Sequence, residues 1–286
     1  MNIKYFDAHT HIQFPEYDED RAEVIARMKD AGVAAVVVGT DYRTSVAAVS
    51  LARAHDNLWA SVGLHPTDVM SESFDEEKFS ELALHEKVVA IGECGLDYYR
   101  HKKTNNQQPT TNNTKQKQKK VFKKHVEIAG ANKKALMIHS RPSPGTMDAY
   151  EDILEILSSA KEKYGDDLRG NIHFFVGTEE IARQFFDLGF TISFTGVITF
   201  SDDYDKLVKG APHENILSET DCPFVAPIPY RGKRNEPVQV REVVKRMIEL
   251  RGADEKFCET LLRNAEHMFQ IKFAPSYPRR KRFPRI

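Results

Sequence analysis

Eight short runs rich in β-branched and small apolar residues alternate with eight amphipathic stretches, and that alternation leaves few folds open. The runs fall at 5–9, 34–39, 59–64, 88–93, 136–140, 171–175, 191–195 and 216–221. Helical patterns lie between and after them at 16–31, 44–55, 75–85, 119–132, 147–163, 179–188, 202–209 and 237–250. Val24, Ile25 and Met28 share a helical face on the first, as do Val243, Val244, Met247 and Ile248 on the last. Eight strand–helix pairs in 286 residues predict a single α/β domain, a (β/α)8 TIM barrel, over residues 1–271. A doubly wound open sheet is the alternative. A closing C-terminal helix at 255–269 is expected to pack outside the barrel.

Two segments fall outside the pattern. Residues 101–120, HKKTNNQQPTTNNTKQKQKK, contain no apolar residue, so they read as a polar low-complexity insertion unable to bury a face. Residues 272–286 form a basic, proline-punctuated C-terminal extension with six Lys or Arg and no acid. Charge is uneven throughout: residues 1–100 hold 18 acids and 9 bases, whereas 101–134 hold ten lysines and one acid, Glu127. The net charge of −1 therefore excludes no polyanionic partner. Lysines directly after the fourth strand would sit on the rim of a barrel, where they could funnel a nucleic-acid strand by counterion release. Tyr98 and Tyr99 beside them are candidates for stacking a base.

No apolar run approaches the ~18 to 20 residues of a membrane helix, and the N-terminal sequence lacks a secretory pattern. Cys94, Cys222 and Cys258 form neither a disulfide framework nor a CxxC pair, so a reducing cytoplasm is the expected compartment. The first two each follow a candidate site residue and are expected to face the helix layer as small buried hydrophobes.

The chemistry gathers at predicted strand ends. Asp7-Ala8-His9-Thr10-His11 opens the chain, and residues two apart on a strand share a face, so His9 and His11 point together. Two imidazoles in one cavity are hard to keep neutral, and a divalent cation resolves the problem. His65 in GLHP, Glu93 and Asp97 in GECGLD, His139 in IHSR, His173, and Glu219 and Asp221 in ETD end other strands. Catalytic groups of a barrel converge on that rim from separate strands.

The ordered motifs DAHTH, GLHP, GECGLDYY, MIHSR, LSETDCPFVAP and RGKRNEP resemble those of the TatD family of metal-dependent deoxyribonucleases, over nearly the whole chain. The resemblance implies that His9, His11, Glu93 and Asp221 hold one divalent metal, and that Glu93 bridges to a second held by His139 and His173. It implies magnesium in function, with zinc or manganese as possible occupants. Asp221 would also accept the proton of the attacking water, and His65 would orient the phosphate or protonate the leaving group. Arg231, Lys233 and Asn235 would contact substrate phosphate. The implied activity is phosphodiester hydrolysis of DNA, a 3′–5′ exonuclease acting on single strands or 3′ ends. An aminoacyl-tRNA deacylase or lactonase of amidohydrolase type is the alternative. A metal-free binding scaffold is disfavoured because no ligand position is missing. No membrane partner is implied, and the sequence is compatible with a monomer. One departure stands out: family members commonly read His-Cys-Phe-Ser-Gly where this chain has His173-Phe174-Phe175-Val176-Gly177.

Overall fold

The computed structural model describes residues 2–99 and 111–273. Eight parallel strands form one sheet in chain order: β1 (Tyr5–Thr10), β2 (Val33–Val38), β3 (Leu58–Val62), β4 (Val88–Asp97), β5 (Ala135–Arg141), β6 (Gly170–Ile172), β7 (Thr191–Phe194) and β8 (Ile216–Ser218). Between and after them lie α1 (Arg21–Ala31), α2 (Tyr42–Ala54), α3 (Glu76–Ala83), α4 (Asn112–Asn132), α5 (Asp148–Tyr164), α6 (Glu179–Asp187), α7 (Asp205–Gly210), α8 (Val240–Arg251) and α9 (Phe257–Phe269). The last strand returns to the first through a Thr10–Cys222 bridge and the bonds His11 N to Cys222 O (2.9 Å) and Asp221 N to His9 O (2.9 Å). The result is a nearly closed (β/α)8 barrel, the expected fold.

Strand alternation sorts the core into two clusters. Val33, Ala35 and Val37 of β2 pack with Val24, Ile25 and Met28 of α1 and with Ala48 and Ala52 of α2, the sheet–helix layer. Ala34, Val36 and Val38 join Phe6, Ala90, Met137 and Leu217 in the interior. Cys94 and Cys222 are buried in the outer cluster, facing the helix layer. Local signals agree with this packing: Asp41 and Thr44 form a reciprocal capping box on α2, and Gly32 takes a left-handed conformation (φ 70°) to end α1.

Helix α9 corrects the expectation of a helix packed outside. Ala265, Met268 and Phe269 enter the interior cluster, and the Phe269 ring lies 5.7 Å from that of Phe6, near the start of β1. The helix thereby plugs the N-terminal end of the barrel and leaves the other end to function. Phe257 and Leu261 at its start still belong to the outer layer.

The polar segment also behaves differently from its reading as an insertion. Residues 101–110 lie outside the described residues, but 112–120 are the first turns of α4, capped by the Thr111 side chain. Polar residues do bury a face here, because their bonds are met. Gln118 is buried, donating to Asp97 O (3.0 Å) and accepting from Asp97 N (2.9 Å). Lys115 pairs with Asp148 (2.7 Å) and Lys119 with Asp152 (2.6 Å), so these two lysines fasten α4 to α5 rather than face a strand of nucleic acid. Tyr98 is fully buried and donates to Asp152 (2.7 Å), which removes it as a stacking surface. The basic extension from residue 274 onward lies outside the described residues. Among the described residues no helix is long and apolar enough to cross a membrane.

Candidate metal centre

The C-terminal strand ends converge on a floor around Glu93. Its two oxygens face two sets of imidazoles, joined where the His9 ring stacks 3.9 Å from that of His173. Oε1 lies 3.0 Å from His173 Nε2, 3.1 Å from His139 Nδ1 and 3.3 Å from His65 Nε2. Oε2 lies 3.5 Å from His9 Nε2 and 3.7 Å from His11 Nε2. Asp221 Oδ1 completes the second group, 3.5 Å from His11 Nε2 and 3.9 Å from His9 Nε2. All six residues expected as ligands therefore meet at one place, with His65 beside them.

Backbone irregularities aim these side chains. Strict alternation would put His9 on the opposite face from the interior residue Ala8, but the pairing of β1 with β2 slips between Asp7 and Thr10. A slip of that kind re-aims a side chain at a strand end. Gly92 precedes Glu93 at φ 149°, and a Cβ there would strike the Met137 carbonyl, so only glycine lets β4 press against β5. Asp221 has a left-handed φ of 54°, which aspartate tolerates better than most residues.

Several outward-facing nitrogens are fixed by hydrogen bonds, which decides what the inward ones offer. His11 Nδ1 donates to Val38 O (2.7 Å) and His139 Nε2 to Asp97 Oδ2 (3.1 Å), leaving the other nitrogen of each ring turned toward the floor. His173 Nδ1 is 3.4 Å from Glu219 Oε1. Carboxylates and carbonyls behind histidines are the arrangement by which proteins orient metal ligands. His65 is different. Its Nδ1 accepts from Thr67 N (3.2 Å), so Nε2 carries the proton and points a donor at the floor. Asp97, Glu219, Thr67 and Gln118 are the orienting residues that motif reading left without a role. The position of Asp97 four residues after Glu93, and of Glu219 two before Asp221, was the available signal.

Charge at the floor is strongly coupled. Burial would raise the Glu93 carboxyl, yet the surrounding imidazoles, His65 and His173 foremost, hold it well below the ordinary carboxylate range. Burial likewise opposes ionisation of Asp221, but the hydrogen bond from His11 holds it low. His173 is buried and nonetheless raised well above an ordinary imidazole by Glu93 and Glu219. His9, by contrast, is lowered by burial and by His173, and its Nδ1 is buried without a hydrogen-bond partner. Imidazole nitrogens and carboxylates converging on one floor form a donor set suited to divalent cations.

Above the floor opens a cavity of about 800 Å³. Arg141, its guanidinium 4.3 Å from the Tyr99 ring, is the Lys or Arg side chain lining it among the described residues. Arg231 and Lys233 are exposed and lie off that lining, with the Arg231 guanidinium stacked 3.9 Å from the Phe200 ring. Asn235 requires a correction. It is fully buried, and Nδ2 donates to Thr220 O (3.0 Å) and Phe224 O (2.6 Å), on either side of Asp221. It braces the Asp221 turn from behind, while Asp7 accepts from Thr220 N (2.8 Å) and Oγ1 (2.6 Å) on the other flank. Asn235→Ala strands two carbonyls and is expected to cost about 1–3 kcal/mol in denaturant unfolding. It should lower kcat more than it raises KM; a raised KM at wild-type stability would restore the phosphate-contact reading.

The family model described as TatD related DNase matches residues 6–270. The metal-dependent hydrolase YabD of Bacillus subtilis (strain 168) is 37% identical over 93% of this chain and 99% of its own length. The 3′–5′ ssDNA/RNA exonuclease TatD of Escherichia coli (strain K12) is 31% identical over 94% of this chain and 100% of its own. Among solved structures, YJJV, a TatD homologue from Escherichia coli K12, superposes with a TM-score of 0.82 at 24% identity, covering 95% of this chain and 100% of that one. That likeness bears on the fold.

Proposed function

The chain belongs to the TatD-related DNase family of metal-dependent hydrolases, and from that premise we propose that it removes nucleotides from the 3′ end of single-stranded DNA. The observation that carries this reading is Glu93, whose Oε1 faces His139 and His173 while its Oε2 faces His9 and His11. In it, His9, His11, Asp221 and Glu93 hold one divalent ion, and Glu93, His139 and His173 a second. Two divalent ions, magnesium in function with zinc or manganese as alternatives, supply an acidified water and neutralise the non-bridging oxygens.

The chain's own groups do the rest. Asp221, ionised and at the cavity edge, takes the proton of the attacking water. His65 Nε2–H, set by its Thr67 bond, donates to the leaving oxygen. Arg141 offers a charge-assisted contact for a flanking phosphate. The barrel over 1–271 acts as one unit, with 272–286 appended, as a monomer in the cytoplasm.

End-labelled single-stranded DNA, incubated with magnesium, manganese or EDTA beside Asp221→Asn, tests the proposal. Shortening from the 3′ end that needs metal and falls about 10²–10⁴-fold in the variant is expected. No shortening with any metal would turn the reading toward ester or amide hydrolysis of the deacylase or lactonase kind.

A further inference from the structure

One wall of the cavity is aromatic in a way the metal centre does not require. Phe174, just after β6, and Phe224, after β8, line it with Val176 and Val197, whereas Arg141 at the end of β5 and Thr67 after β3 line it from elsewhere on the rim. The Phe174 ring lies 6.4 Å from that of His173, and the Phe224 ring 6.3 Å from that of His11, both steeply inclined. Both are therefore adjacent to the floor. Phe174 is half-buried, and Phe224 is 49% exposed, so each keeps surface for a ligand.

Phe174 is held there against its backbone preference. Its φ is 45°, a region unfavourable to a bulky side chain, and its N–H donates to Glu219 Oε1 (2.6 Å), which also faces His173. An outlier of this kind at a cavity wall points from structure to function. A valine wall alone would exclude water. Rings presented beside the Glu93 floor and the Arg141 guanidinium suit a flat aromatic group attached to a phosphodiester.

We infer that Phe174, with Phe224, is the stacking platform for the base of the 3′-terminal nucleotide, so that the site selects base-bearing ends over abasic ones. The inference deepens the nuclease reading and rests on it for the identity of the substrate. Stacking a base on an aromatic side chain corresponds to about 5- to 150-fold in affinity.

The test uses 5′-fluorescein hexathymidylate and the same strand ending in a tetrahydrofuran abasic residue, with binding read by anisotropy in EDTA. The full chain is expected to prefer the base-bearing end at least ~5-fold. Phe174→Ala should bring that ratio near one, Phe174→Tyr should retain it, and Phe224→Ala should reduce it. Melting curves check that each variant is folded. Equal binding of both strands by the wild type, no binding of either, or a preference surviving in both alanine variants overturns the platform. Adding manganese to the wild type separates the two readings: preference without cleavage supports the platform and removes the nuclease, and cleavage without preference does the reverse.

Discussion

Glu93→Gln is expected to lower metal-dependent hydrolysis by ~10³-fold or more, and to reduce bound metal measured after dialysis. The several kcal/mol that a metal contributes to a charged transition state correspond to about that factor. The substitution keeps shape and removes the charge toward which five imidazoles converge. The wild type should melt higher with added metal, since a ligand at 100 times its Kd stabilises by about 2.7 kcal/mol, and the variant should lose that rise. Because Glu93 and Glu219 hold His173 well above the ordinary imidazole range, bound metal must displace protons, and affinity should fall as pH is lowered. A Gln variant with wild-type metal content and rate would remove Glu93 from the centre.

The strand pattern was legible because each strand of a parallel barrel is buried on both faces and reads as a continuous apolar run, as in Val33–Val38. Where composition was read without geometry, expectation and structure part. The first turns of α4 look unable to fold because nothing in them is apolar, yet Gln118 is buried by pairing both its amide groups with the Asp97 backbone. Helix α9 carries an apolar face like any surface helix, and its position under the barrel depends on the packing of Phe269 against Phe6, which no local pattern encodes.

The six candidate ligands were legible as a group because groups that meet on a barrel rim sit at strand ends in short motifs. Orienting residues are harder to read, since their partners lie far along the chain: Asn235 acts on Thr220 and Phe224, and Glu219 on Phe174 and Ser193. RGKRN looks basic and therefore phosphate-binding. In the fold, Arg234 pairs with Asp20 (2.6 Å) and Arg231 stacks on Phe200, so charge in that stretch is partly structural.

His125, unremarked in the sequence, is expected to make the fold acid-sensitive. It is fully buried on α4, donates from Nδ1 to Val121 O (2.9 Å), and accepts at Nε2 from Leu64 N (3.0 Å), so it is neutral. Burial, with no acid to compensate, pushes it down from 6.5 to about 4. The unfolded chain takes up its proton near pH 6.5, whereas the fold resists until about pH 4. Stability from this group is thus complete above pH 6.5 and is lost as pH falls toward 4, on the order of 3 kcal/mol in all. His125→Gln keeps an acceptor for Leu64 and cannot titrate. Denaturant unfolding of both proteins in EDTA across that window should show the difference between them shrinking toward acid, since the other titrating groups are common to both. Parallel curves would sink the assignment. Because Leu64 precedes His65, protonation that evicts Leu64 N from its acceptor should also disturb the donor aimed at the floor, so wild-type activity should fall at acid pH more steeply than that of the variant.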